Sequence, residues 1–145
     1  ANNLQPWRFA YISKTDELHG AICEKGLTGF NQSWAPNASA LIVVAVQVNT
    51  ADGKENTGRK YDAGLAASMM VVQAQELGLH THHIGGIVHS EVHSLLKLDD
   101  NHEVLVIIAV GKVAPAEQLE GPAYEREVAP RVRHTLDEVM LYGKP

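Results

Sequence analysis

The 145-residue chain holds one cysteine, Cys23. An intrachain disulfide is thereby excluded, and a lone thiol among Ala21, Ile22 and Leu27 suits a buried side chain in a reducing, cytoplasmic setting. No basic run is present and the net charge is −5, which argues against nucleic acid or an anionic membrane as partner. No apolar stretch reaches the roughly 20 residues of a membrane span. The weakly polar stretch Ala63–Val72 gives way to Gln73, Gln75 and Glu76. No segment has the pattern of a secretory signal or transit peptide. Gly-x-Gly-x-x-Gly and Gly-Lys-Ser are both missing, so no nucleotide-binding fingerprint is found. Without a Gly-x-Ser-x-Gly elbow, a serine hydrolase has no support. What is there is ordinary: 45% apolar and 20% charged residues, enough for one domain with one core.

The chain is organised around Tyr61–Ile87 (YDAGLAASMMVVQAQELGLHTHHIGGI). Ala63 to Val72 has no wet face, which predicts a helix buried on several sides. Asp62 is its candidate N-cap, Gly78 its left-handed stop and Leu79 the apolar residue beyond the stop. The small residues Ala63, Gly64, Ala66, Ala67 and Ser68 offer a face for close packing. His80–Ile84 reads as a short strand ending at Gly85-Gly86.

Around this stretch, Arg8–Ser13 reads as a strand entered through the polar loop Asn3-Leu4-Gln5-Pro6-Trp7, in which Pro6 pushes Gln5 toward extended geometry. Thr15 or Asp16 can cap a helix to about Lys25, and Phe30 to Pro36 reads as a loop. Ala40–Val48 and Val104–Val110 are continuous apolar runs, as in strands buried on both faces. Asn49 to Lys60 is polar and turn-rich and is expected to be a mobile loop, with a length that suits a lid. Ser90 opens a helix that Asp99-Asp100-Asn101 ends. Ala114 to Pro130, with its prolines and no periodicity, reads as an extended arm over a surface. Thr135-Leu136-Asp137-Glu138 has the capping-box pattern of a last short helix. Strands interleaved with helices point to a layered α/β or α+β domain with one central sheet.

His80 and His82 share a strand face, and His89 and His93 a helix face at i, i+4. Both spacings are compatible with a metal. No glutamate follows His89 as in a zinc-protease helix and no thiol is near, so solvated or hydrogen-bonded histidines are the better account and no metal is assigned. Three other clusters suit one ligand type. Arg131 and Arg133 alternate, which in extended chain aims both guanidiniums one way, as for a phosphate. Asn3 and Gln5 offer amide donors and acceptors at the same spacing, as for a heteroaromatic edge. Gly85-Gly86 leaves backbone N–H groups unscreened, so a flat ring can approach. Phosphate, ring edge and bare backbone together match a flavin mononucleotide.

The same residues carry a resemblance. Asn3-x-Gln5-Pro6-Trp7 before a strand resembles the Asn-x-Gln-Pro-Trp motif of the nitroreductase-like flavoprotein family. Asp62-Ala63-Gly64-Leu65-Ala66-Ala67, Glu76-Leu77-Gly78-Leu79 and Ile84-Gly85-Gly86 are similar to its central helix and following strand. Val104–Lys112 and Arg133-x-x-Leu136-x-Glu138-Val139 resemble its last core strand and C-terminal signature. The resemblance implies an α+β sandwich, a mostly antiparallel sheet flanked by helices, in a homodimer with two FMN sites at the subunit interface. It implies that Asn3 and Gln5 meet the flavin, that Gly85 and Gly86 supply backbone near its reactive N5, and that Arg131 and Arg133 meet its phosphate. The segment 114–145 would embrace the partner subunit. The activity implied is ping-pong oxidation of NAD(P)H with reduction of a small-molecule electron acceptor such as a nitroaromatic or quinone. No side chain of the chain is required as acid or base. The family's N-terminal helices, with an Arg-x-Ser-x-Arg phosphate anchor, are not in the sequence, and Ala1-Asn2 stands where Pro-Ser or Pro-Thr is usual. An upstream segment is therefore expected, and a flavin-binding but non-catalytic member is the alternative. Gly85 also replaces a frequent acidic residue, a change that leaves its backbone N–H in place.

Overall fold

The computed structural model describes residues 2–143. Ala1, Lys144 and Pro145, the first residue of the motif above and the last two of the expected arm, lie outside the described residues. The chain forms two compact units that part between Val113 and Ala114.

The first unit is built on a four-stranded antiparallel sheet in the order β1-β2-β4-β3, from β1 (Trp7–Ser13), β2 (Ala40–Gln47), β3 (His80–Ile84) and β4 (His102–Gly111). The central pair is β2 and β4, and both are apolar because both of their faces are covered. Leu41 and Val43 of β2 pack with Ile84 and Ile107 beneath Ile22, Cys23, Leu27 and Val92. Ile42, Val44 and Val46 point the other way, against Ala63, Ala67 and Met70. That period of two, with both sets buried, makes β2 a continuous hydrophobic run within an antiparallel sheet. The β2–β4 register slips at Val44/Ala45, leaving Leu105 as the extra residue of β4.

One face is covered by α1 (Glu17–Ala21), its continuation Ile22–Gly26 as a wider π turn, and α4 (His89–Leu95). Asp16 caps α1 by accepting from Leu18 N at 2.9 Å. The other face is covered by α3 (Arg59–Glu76). It starts earlier than expected, with Gly58 and not Asp62 at the N-cap. Arg59 and Lys60 are polar, yet they are drawn in by charges distant in sequence. Arg59 bridges Glu55 (2.7 Å) and Glu103 (3.2 Å), and Lys60 reaches Glu103 at 2.5 Å. The helix ends as expected: Gly78 has φ +69, Gly78 N donates to Gln75 O and Leu79 N to Ala74 O.

The expectation that α3 is buried on several sides is not met within this chain. Ala63, Ala67 and Ala74 are buried, while Tyr61, Leu65, Met69 and Val72 form an exposed apolar stripe. Three further expectations are corrected. Residues 31–37 are not an open loop but α2 (Asn31–Trp34) and a 3₁₀ turn, held where Trp34 meets the His82 ring edge-on at 4.8 Å. Helix α4 begins after Val88 and not at Ser90, and it stops at Lys97 (φ +51) because Lys97 N and Leu98 N bond back to Ser94 O and His93 O. The polar loop after β2 is shorter than expected and closes on itself through the Asn49–Glu55 bridge and Thr50 N to Lys54 O at 2.8 Å.

In the second unit, the expected extended arm contains α5 (Pro122–Val128). Both capping-box bonds are formed at Thr135, ahead of α6 (Leu136–Val139), with Glu138 accepting from the Thr135 N–H at 2.8 Å.

Candidate functional site

The polar loop before β1 is fixed by its backbone. Arg8 Nη1 donates to the Gln5 and Trp7 carbonyls, both at 2.8 Å, while Nη2 donates to Gln47 Oε1 at 2.7 Å. Pro6 is buried and its carbonyl accepts from Gln47 N at 2.8 Å. Gln5 is not extended, as the following proline suggested, but has φ +47; Asn2 and Asn3 both have φ +52. Left-handed backbone is mild for asparagine and costly for glutamine, and such strain persists only where the surroundings impose it. Arg8 holds the Gln5 carbonyl in this loop, and the Asn3 and Gln5 side chains stay exposed.

Beyond β3, the two glycines do different work. A Cβ on Gly85 would meet nothing within 4 Å, so that side is open. A Cβ on Gly86 would lie 2.6 Å from Asn31 Nδ2 and 2.9 Å from Thr28 Oγ1, so that position is bare because it is crowded. The Gly86 carbonyl accepts from Thr28 N at 3.0 Å and from Asn31 Nδ2 at 3.4 Å, and the Gly85 carbonyl accepts from Ile87 N at 3.0 Å. Among the described residues, neither the Gly85 nor the Gly86 N–H has a backbone acceptor. The turn therefore presents bare amides beside open space.

These two clusters are not brought together within one chain. Asn3 and Gln5 precede β1, Gly85 and Gly86 follow β3, and β1 and β3 are the two edge strands. Three strand spacings separate the edges, about 14 Å. On β2, Trp7 stands level with Val46, and Ile84 stands level with Val43 through Ile107, a further offset of three residues, about 10 Å, along the strands. Arg131 and Arg133 belong to the second unit, exposed between α5 and α6, with Arg133 Nη1 donating to the Val132 carbonyl at 2.7 Å.

Of the histidines, His89, His93 and His102 line one cavity, and the last two meet at Asp99. His93 Nε2 lies 3.0 Å from the Asp99 carbonyl and His102 Nδ1 lies 2.6 Å from Asp99 Oδ1, which holds the Asp99 carboxyl below its usual range. His82 meets Trp34 edge to face. Among the described residues no group of three or more His, Cys, Asp or Glu side chains is placed to hold a metal ion. His19 is buried, with Nδ1 3.8 Å from Cys23 Sγ and no hydrogen-bond partner for Nε2. Burial, and secondarily Lys14, pushes its pKa below the ordinary histidine value, and burial raises that of Cys23.

Sequence reasoning missed Thr28 and Asn31, which act on Gly86 from 55 or more residues away and sit in no motif. It also missed the charges that join α3 to β4. The Lys60 ammonium, then the Arg59 guanidinium, hold the Glu103 carboxyl below the usual range.

An antiparallel sheet between helical layers, with bare glycine amides at one edge strand and amide side chains at the other, defines an α+β protein with its candidate site residues on the rim. The Nitroreductase family matches residues 22–112, well over half of the chain, and the chain belongs to that family. Comparison with curated proteins gives no match. Among solved structures, an oxidoreductase containing FMN is 34% identical over 99% of this chain and 73% of its own, with a TM-score of 0.89. A nitroreductase family protein from Clostridium difficile is 21% identical over 99% of this chain and 77% of its own, at a TM-score of 0.71. An FMN- and NADPH-dependent nitroreductase variant from Sphigopyxis sp. is 17% identical over 97% and 81%, also at 0.71. The last two are similar in fold alone. No described helix is long and apolar enough to cross a membrane.

Proposed function

We propose that this chain is an FMN-dependent oxidoreductase that draws electrons from NAD(P)H and delivers them to a nitroaromatic, quinone or similar small acceptor. The observation that carries the proposal is the Gly85-Gly86 turn: two N–H groups without backbone acceptors, beside a side that no Cβ contact closes. A flat ring can approach such a turn as it could approach no other residue pair. The family supports the reading, as does the FMN contained in the 34% identical oxidoreductase.

When bound, FMN supplies the hydride chemistry, and the protein supplies position and electrostatics. The residues present fit it. The Gly85 and Gly86 amides donate to the ring edge, and Asn3 and Gln5 offer amide groups to its pyrimidine side. Arg131 and Arg133 take the phosphate, an assignment that rests on guanidinium chemistry. The open side at Gly85 would leave room for donor and acceptor in turn, as a ping-pong reaction would require.

The active form we propose is a cytoplasmic homodimer. Separations of about 14 Å across the sheet and about 10 Å along it are awkward for one ring edge. Asn3 and Gln5 of one copy with Gly85 and Gly86 of another remove the difficulty. The exposed stripe of Tyr61, Leu65, Met69 and Val72, at 52 to 73% exposure, is the surface such a pairing would cover. Residues 114–145 then act as the arm that embraces the partner.

The test is to add FMN to the purified chain and follow NADPH and NADH oxidation with a nitroaromatic and a quinone. Parallel lines in double-reciprocal plots support the reaction. Tight FMN binding without turnover supports the non-catalytic alternative, and a chain that takes up no FMN overturns both.

A further inference from the structure

We infer that Asn31 is a positioning residue that aims the Gly86 N–H at the flavin. The inference rests on the proposed FMN site and follows from how the turn is held. Asn31 Nδ2 and Thr28 N both donate to the Gly86 carbonyl, which fixes the plane of the peptide joining Gly86 to Ile87. The N–H of that peptide, on Ile87, donates to the Gly85 carbonyl at 3.0 Å and so fixes the preceding peptide as well. In a trans peptide the N–H points opposite its carbonyl. With the Gly85 carbonyl turned toward Ile87, the Gly86 N–H is turned away from it. Two planar groups are thus locked in series by one side chain and one backbone donor.

Nothing at Gly86 itself can do this, because it has no side chain. Thr28 contributes its N–H whatever its side chain, since its hydroxyl touches the Gly86 position without an assigned bond to the carbonyl. Asn31 is the one side chain in the lock, and it is anchored at the first turn of α2 (Asn31–Trp34), whose Trp34 packs on His82 of β3. A fixed donor acts more strongly on the ring form with more electron density, the reduced one. Asn31 therefore acts on the balance between oxidised and reduced flavin through the Gly86 amide and not by touching the ring.

The test uses the full chain, with Asn31→Asp as the near-isosteric variant and Asn31→Ala should that variant fold poorly. In flavin-free protein, hydrogen exchange at the Ile87 amide should rise at least fivefold in the variant. With FMN, affinity for the oxidised form should stay within threefold while affinity for the reduced form falls about tenfold. That lowers the two-electron midpoint potential by about 30 mV. Thr28→Val, which keeps the backbone donor, should leave exchange and potential at their wild-type values. Unchanged exchange, or equal loss of affinity for both flavin forms, overturns the inference and leaves the FMN site standing. A wild-type chain that binds no FMN overturns both, and is recognised before any variant is made.

Discussion

Two adjacent glycines should respond unequally to the same added methyl. In Gly86→Ala the new Cβ falls 2.6 Å from Asn31 Nδ2 and 2.9 Å from Thr28 Oγ1, both inside contact distance. Overpacking of this kind costs about 1–3 kcal/mol. Displacing Asn31 and the Thr28 segment also stretches two hydrogen bonds to the Gly86 carbonyl, adding about 1 kcal/mol. The sum, about 2–4 kcal/mol, is a large share of the 5–15 kcal/mol typical of a folded domain. In Gly85→Ala the Cβ meets nothing within 4 Å, and Gly85 is not among the glycines with positive φ, so stability should change by about 0.5 kcal/mol or less. The methyl stands in open space at a position where the resemblance expects even an acidic side chain, and the backbone N–H is kept, so FMN affinity should stay within about threefold. Urea denaturation of the flavin-free protein, paired with FMN titration by fluorescence, reads both effects. A Gly86→Ala variant as stable as wild type, or a Gly85→Ala variant that loses stability or its flavin, would refute the reasoning.

Other outcomes follow from charge and exposure. Glu103→Gln should cost about 1–2 kcal/mol at pH 7, measured by urea denaturation, because it weakens the ties to Lys60 and to Arg59, whose side chain is only 12% exposed. The Glu103 pKa is depressed on folding, so this contribution is present above the ordinary carboxylate value of 4.5 and fades as pH falls through the depressed one. His19 titrates in a different window. Its folded pKa lies below 6.5, so the unfolded chain binds its proton first and stability falls as pH drops from about 6.5. His19→Leu should flatten that slope between about pH 6.5 and 5 in a melting-temperature series, and an unchanged slope would assign it to other groups. Leu65→Glu combined with Met69→Glu, on the exposed stripe of α3, should shift sedimentation from dimer to monomer, and an unaltered dimer would place the interface elsewhere.

The features legible in the sequence are those set by neighbours within a few residues. The apolar runs of β2 and β4, the Gly78 stop of α3 and the Thr135 capping box all depend on local pattern, and all are found near their expected places. The failures share a cause in distant partners. The first turn of α3 was hidden because Arg59 and Lys60 are recruited by Glu103, more than 40 residues on. Gln5 takes a left-handed φ against the preference set by Pro6, in a loop whose Pro6 carbonyl is tied to Gln47 of β2. Gly85-Gly86 was legible as a bare turn, but the crowding of Gly86 and the openness of Gly85 depend on a segment nearly 60 residues earlier. For α3, the pattern indicated burial on several sides, and one chain supplies cover on one side only.

The account stands most directly on whether the Gly85-Gly86 turn holds flavin. Amide hydrogen exchange of the purified chain, with and without saturating FMN, tests this at residue level. One FMN bound per chain, with slowed exchange at Gly85 and Gly86 and at the Asn3–Gln5 loop, is the predicted result. Saturable FMN binding that leaves the Gly85 and Gly86 amides unprotected, or no binding, would contradict it.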